Sequence, residues 1–319
     1  MTMIKNHRVI ALEEHYLDSQ LAQAIKAFPM PKIDPLLTDF AEARIGSMDS
    51  AGVDFQILSH LPPALQGLLT NDAAEVAIAV NDRLKKIVDA APHRFAAFAS
   101  VPTSNPEAAA RELARTVGDL GFVGAMIHGP TDGVFLDDPR FDPLFDAAQR
   151  LDVPLYLHPA DPLPAVRDAY FGPLAEKHPM YLRAAWGYTI ETATQAVRLI
   201  LNNVFDRFPS LKIVLGHLGE TLPYVMDRMD EALSRDAPDL HFKKQFLEHF
   251  YVTTSGFFSD APLKFCIAEM GIERVMFSVD WPFASNEVAC SWAAKLDLSD
   301  PDKDLLLHGN AERLFRLPT

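Results

Sequence analysis

The chain has 319 residues, and its 43 acidic against 29 basic side chains give a formal net charge of -14. That balance argues against nucleic acid and anionic membrane surfaces as partners, and no basic run interrupts it. Hydrophobic residues make up 49%, enough for a large core, while two cysteines, Cys266 and Cys290, are too few for a disulfide scaffold or a thiolate zinc site. No apolar run approaches the roughly 20 residues that cross a membrane. Residues 1–10, with Lys5, Asn6, His7 and Arg8, lack the apolar stretch of a signal peptide, so a cytoplasmic protein is expected.

Taken in chain order, strands are expected over residues 9–12, 55–59, 95–100, 124–128, 154–158, 212–216, 250–254 and 275–278. Helices are expected between and after them, over 39–50, 72–90, 106–120, 141–151, 189–207, 220–234, 261–270 and 287–295. Asn105-Pro106 reads as an N-cap with proline at the first helical position, and Gly121 follows the end of that helix. The strands are nearly continuous apolar runs, as when both faces are buried. Eight such alternations imply an α/β chain folded as a (β/α)8 TIM barrel, one domain over 1–319. An open doubly wound sheet is the competitor, but no glycine-rich phosphate loop follows the first strand. Two insertions interrupt the alternation, after strands 1 and 5. Residues 17–37 hold three prolines and read as a long loop with a short helix, and 160–185 carry Asp161-Pro162-Leu163-Pro164 and Phe171-Gly172-Pro173. Both follow strand C-termini, where barrel enzymes build pockets and lids.

Polar residues stand where these apolar strands end. Strand 1 reaches Glu13-Glu14-His15, strand 5 ends in His158-Pro159, strand 6 in Gly216-His217-Leu218-Gly219-Glu220, and strand 8 in Asp280-Trp281-Pro282. Parallel barrel strands aim their C-terminal ends at one rim, so these groups converge. Glu13 and His15, two apart, share one face of an extended strand. Glu13, His15, His158 and Asp280 then make a mixed nitrogen and oxygen set for one divalent cation, Zn²⁺ or Mn²⁺. His217 and Glu220, three apart, pair as a tunable proton carrier if a helix begins near Leu218. The competing reading has Glu220 only complementing a helix dipole. Arg228, about two helical turns on, could reach a substrate anion or pair with a structural carboxylate. Phe28, Trp186, Tyr188 and Phe283 are expected to wall the pocket around a planar aromatic ligand, against ordinary packing as the alternative.

The segments Ala11-Leu12-Glu13-Glu14-His15, Leu157-His158-Pro159, Leu215-Gly216-His217-Leu218-Gly219-Glu220 and Phe277-Ser278-Val279-Asp280-Trp281-Pro282-Phe283 resemble the amidohydrolase-2 group of the amidohydrolase superfamily. Within it the resemblance is to the γ-resorcylate, dihydroxybenzoate and 5-carboxyvanillate decarboxylases, and it extends to Pro92-His93-Arg94-Phe95 and Asn310-Ala311. The resemblance implies nonoxidative decarboxylation of a small ortho-hydroxylated aromatic acid with one divalent metal and no organic cofactor, in a homodimer or homotetramer. It implies Glu13, His15, His158 and Asp280 around the cation, a His217–Glu220 pair, and Arg228 on the substrate carboxylate. Asp280 is the candidate for delivering a proton to the ring carbon. Two positions depart from the resorcylate pattern: His128 replaces an asparagine, and His60 a smaller or aliphatic residue. Both are expected at the pocket rim against the substrate, where an added histidine could instead orient a water. A hydrolase or hydratase acting on a lactone, amide or ring-cleavage product is therefore the second reading, and a non-catalytic metal-holding barrel the third.

Overall fold

A computed structural model describes residues 7–27 and 29–317. Its strands are β1 (Ile10–Tyr16), β2 (Phe55–His60), β3 (Phe95–Ala97, resuming at Ala99–Ser100), β4 (Ala125–His128), β5 (Leu155–His158), β6 (Ile213–Leu215), β7 (Phe250–Thr253) and β8 (Val275–Met276). Neighbours pair in parallel in that order, with β3 passing from one ladder to the next at Phe98. There Phe98 N–H donates to Leu58 O, and Ala99 N–H to Gly124 O. Helices lie between successive strands, as expected of a (β/α)8 barrel, the fold its structural relatives share.

Among the described residues β8 and β1 share no ladder, and side chains close that seam. Ser278 Oγ accepts the N–H groups of Glu13 at 2.7 Å and Leu12 at 3.3 Å. One backbone bond, His15 N–H to Trp281 O at 2.8 Å, crosses further up.

The barrel interior is filled by Ile10, Leu12, Phe55, Ile57, Phe98, Met126, Tyr156, Val214 and Met276, and closed at one end by Ala311, Leu314 and Phe315. Strict alternation from Ile10 and Leu12 would turn Glu13 and His15 away from that interior. Between Ala11 and Glu14, however, the pairing of β1 with β2 shifts register. A bulge of this kind re-aims the side chains beyond it. Glu13 follows Leu12 inward and meets the Tyr156 hydroxyl, while Glu14 turns to the seam.

Several helices differ from the sequence expectation. The first insertion holds two short helices, Ser19–Ala24 and Asp34–Thr38, rather than one. The helix expected over 189–207 breaks into Gly187–Leu201 and Val204–Arg207, because Asn203 takes φ +53°. A helix not anticipated, Phe242–His249, precedes β7, with Phe242 and Phe246 one turn apart on its buried face. The helix expected from residue 220 starts at Leu222, and the residues before it wind the other way. No helix among the described residues is long and apolar enough to cross a membrane.

Candidate metal centre

Glu13, His15, His158 and Asp280 each offer one ligand atom, and those atoms lie within 4.8 Å of one another. Glu13 Oε1 stands 3.1 Å from His158 Nε2 and 4.0 Å from His15 Nε2, and His15 Nε2 stands 3.3 Å from Asp280 Oδ1. Ligands at about 2.0–2.2 Å around one tetrahedral ion fall roughly 3.4 Å apart; the Glu13–His158 and His15–Asp280 pairs are close to that spacing, and Glu13 and His15 stand somewhat wider. Glu13 Oε1 and His15 Nε2 are deeply buried with no hydrogen-bond partner. Unpartnered buried polar atoms are costly, and a cation between them supplies what each lacks. The donor set therefore fits a divalent ion.

Each ligand is held from behind. His158 Nδ1–H donates to Pro159 O at 2.8 Å, and His15 Nδ1 meets Ser59 Oγ at 3.2 Å, so both Nε2 lone pairs face the site. Glu13 Oε2 accepts the Tyr156 hydroxyl, which also contacts Thr253 Oγ1 at 2.8 Å. Asp280 takes φ +74°, and burial together with the charge of Glu13 pushes its carboxyl up to about 7.

His217 to Thr221 form a left-handed turn in which all five residues have positive φ, from +50° to +76°. This costs about 1–2 kcal/mol for each non-glycine residue, and such strain concentrates at functional sites. It closes through Gly219 N–H to Gly216 O at 2.8 Å. Gly219 suits this place twice over: its φ is +76°, and a Cβ there would lie 2.9 Å from Pro223 Cδ and Val252 Cγ1. The turn brings His217 Nδ1 to 2.7 Å from Glu220 Oε1 and points Nε2 at Glu13 Oε1, 3.7 Å away. The pairing is the expected one, but it is achieved without the right-handed helix that the sequence suggested. Burial alone would lower the imidazole's pKa; Glu220, Glu13 and Asp280 outweigh it and push His217 up to about 10.

A family model described as Amidohydrolase matches residues 27–317. The chain belongs to that family. It is 38% identical over 325 residues to gamma-resorcylate decarboxylase of Polaromonas sp. strain JS666, covering 97% of this chain and 98% of the relative. A dihydroxybenzoic acid decarboxylase from that organism, solved with bound manganese and the inhibitor 2-nitroresorcinol, superposes with a TM-score of 0.90. It is 37% identical, over 98% of this chain and 97% of its own. A 5-carboxyvanillate decarboxylase from Sphingomonas paucimobilis gives a TM-score of 0.91 at 31% identity, over 98% and 100%.

The remaining expected site residues are distributed unevenly. Phe283 sits over the ligands, its ring 5.9 Å from that of His15. The ring of His128, 1% exposed, is 4.8 Å from that of His158, and its Nδ1 has no partner. Tyr188 is half-buried between Asp161 and Asp280; burial and those two carboxylates raise its phenol's pKa. Trp186 is 46% exposed. Arg228 is exposed and makes no hydrogen bond or ion pair among the described residues, so no contact ties it to the site. Phe28 lies outside the described residues. His60 is brought close but its nitrogens are spent: Nδ1–H donates to Leu61 O at 2.7 Å, and Nε2 accepts Asp18 N–H at 3.1 Å. In this amidohydrolase it therefore anchors loop backbone and has no nitrogen left for a substrate hydroxyl.

Tyr156 went unread in the sequence although it stands two before His158 on one strand, a spacing that places both on the same face. Gly216 also went unread. A Cβ there would lie 2.6 Å from Glu13 Oε2 and 3.3 Å from the Tyr156 hydroxyl, while its φ of -70° suits any residue. Gly216→Ala is thus expected to displace the Glu13 carboxylate, weakening divalent-metal affinity by about 10-fold or more with little change in the melting temperature of metal-free protein. Metal titration by calorimetry beside a thermal scan checks it; unchanged affinity would mean that Glu13 is not a ligand.

Proposed function

We propose that this chain is a metal-dependent nonoxidative decarboxylase, a carbon–carbon lyase, acting on an ortho-hydroxylated aromatic carboxylic acid. The observation that carries the reading is the meeting of Asp280, a carboxyl whose burial favours its proton, with the His217–Glu220 pair around the shared ligand set. The 38% identity to gamma-resorcylate decarboxylase over nearly the whole chain supports it.

A bound divalent cation would supply Lewis acidity there, drawing carboxylate and phenolate together and lowering the phenol's pKa. The site accepts Zn²⁺ and Mn²⁺ alike by its donors, and the bound manganese of the Polaromonas relative favours Mn²⁺. Glu13, His15, His158 and Asp280 would hold the ion. Loss of CO₂ directly from a benzoate would leave an aryl anion. Protonation first avoids this: the ortho-phenolate pushes electrons into the ring while Asp280 gives its proton to the carbon bearing the carboxylate. The carbon–carboxyl bond then breaks, its pair restores the aromatic ring, and CO₂ leaves. His217, positioned by Glu220 and favoured in its charged form by the carboxylates around it, steadies the phenolate. Phe283 and Tyr188 flank the ring.

A homodimer or homotetramer fits the side chains exposed in the insertion after β5: Tyr170 is 72%, Leu174 56%, Met180 57% and Trp186 46% exposed. Large apolar side chains left exposed in one insertion are what a contact between copies would cover. A monomer mass by sedimentation would remove that part of the reading.

The deciding test is CO₂ release from a panel of hydroxybenzoates by protein stripped of metal and reloaded with Mn²⁺ or Zn²⁺. Release from acids with an ortho-hydroxyl, and none from meta- or para-hydroxybenzoate, is expected. Turnover of lactones or activated esters without CO₂ would replace this reading with the hydrolase one.

A further inference from the structure

The bulge that turns Glu13 and His15 inward turns Glu14 the other way, into the seam between β1 and β8. Glu14 is fully buried, and its four acceptor positions are all taken. Oε1 accepts Val279 N–H at 2.9 Å and the Ser278 hydroxyl at 3.3 Å. Oε2 accepts Trp281 N–H and Gln56 Nε2–H, both at 3.2 Å. Val279 and Trp281 flank Asp280, so one carboxylate grips the peptides on both sides of a metal ligand. Asp280 has φ +74°, a conformation that an aspartate keeps only when its surroundings hold it there.

The same group reaches the rest of the site. Ser278 Oγ, which donates to Glu14, accepts both N–H groups at the bulge, those of Leu12 and Glu13. Gln56, which donates to Glu14, accepts from Arg44 Nη1 at 3.1 Å through its side-chain oxygen. Arg44, itself fully buried, stacks 4.2 Å from the Trp281 ring and donates through Nη2 to His15 O. Arg44 and Glu14 make no direct ion pair, so Gln56 relays between them. The network touches the backbone of Glu13, of His15 and on either side of Asp280, three of the four ligands.

We propose that Glu14, with Ser278, Gln56 and Arg44, is a positioning clamp that sets the spacing of the metal ligands across the barrel's closing seam. This rests on the reading of Glu13, His15, His158 and Asp280 as a metal site. Four donors converge on Glu14, so only a group with four acceptor positions satisfies them. Glu14→Gln keeps the shape but turns one oxygen into an NH₂ that faces donors, which releases either the Val279 or the Trp281 side of Asp280.

The test is a titration of metal-free wild type, Glu14→Gln and Ser278→Ala with Mn²⁺, followed by the free-ion electron paramagnetic resonance signal and by the spectrum of the bound ion. Thermal scans of the metal-free proteins report the fold. A rise in the Mn²⁺ dissociation constant of about 10–100-fold for Glu14→Gln is expected, with a smaller rise for Ser278→Ala and an altered bound-ion spectrum for both. A clamp that were merely structural would lower the metal-free melting temperature and leave the affinity and spectrum of folded protein as in wild type; that result overturns the proposal. If Glu14→Gln does not fold, Ser278→Ala, which removes one hydroxyl, decides by the same readout. Wild type that binds no Mn²⁺ would overturn the metal site itself and the clamp with it, and is told apart from failure of the clamp by the wild-type arm alone.

Discussion

Asp280→Asn is expected to lower kcat by about 10³-fold while the protein stays folded and still takes up metal, since general acid catalysis by one group is typically worth 10²–10⁴-fold. The amide keeps an oxygen toward the ligand cluster and nearly the same volume, so the substitution removes the transferable proton more than the geometry. Asp280 is the ligand best suited to carry that proton. Its side chain retains 18% exposure where those of Glu13 and His15 are essentially closed, and in the metal-free site burial with the Glu13 charge beside it favours its acid form. Glu13 is the opposite case: His217, His158 and His15 around it overcome burial and hold its carboxyl well below the usual range, so it stays an anion and a ligand. Two carboxylates in one site are thereby given different tasks by their surroundings. Single-turnover CO₂ release, with deuterium incorporation at the ring carbon followed in D₂O, measures the step. An Asp280→Asn variant within about 10-fold of wild type would assign the proton elsewhere, with the imidazole of His217 as the next candidate.

Most of this site was legible because of where barrels put their polar residues. Glu13, His15, His158 and Asp280 each end an apolar strand, and parallel strands bring such ends together whatever their separation in sequence. What was not legible depends on backbone that composition does not mark. The bulge before Glu14 leaves no trace in Val9-Ile10-Ala11-Leu12, yet without it Glu13 would point out of the interior that Ile10 and Leu12 fill. The left-handed turn at His217 is hidden because Leu218, Glu220 and Thr221 all favour other conformations, and Gly219 alone hints at it. Arg44 lies on a helix, Glu42–Ala51, where an arginine ordinarily faces water; only the fold reveals that it is buried against Trp281. His60 failed in the other direction. A histidine at a strand end reads as functional, and only its two backbone hydrogen bonds show that it is committed elsewhere. His128 alone remains of the two departures from the resorcylate pattern, and its unpartnered buried Nδ1 makes it the residue to vary when the preferred ring substitution is known.

Removing the cation should stop turnover and also destabilise the fold. Without it, Glu13 Oε1 and His15 Nε2 stay buried and unpartnered. Ligand binding to the native state alone contributes RT ln(1 + [L]/Kd), about 4 kcal/mol when the ion is present at 1,000 times its dissociation constant. For a large domain each kcal/mol moves the melting temperature by roughly 2 °C, so a rise of about 5–10 °C is expected when Mn²⁺ is added back to chelated protein. Differential scanning calorimetry at several Mn²⁺ concentrations checks this through the logarithmic dependence on free ion. The same experiment on Glu13→Gln separates the site from adventitious binding. Its metal-free melting temperature should fall modestly, because the histidines that hold the Glu13 carboxyl below its usual range lose the anion they face, while its response to Mn²⁺ should largely vanish. A response as large as that of wild type would place the ion elsewhere and leave the unpartnered atoms of Glu13 and His15 to be satisfied by water.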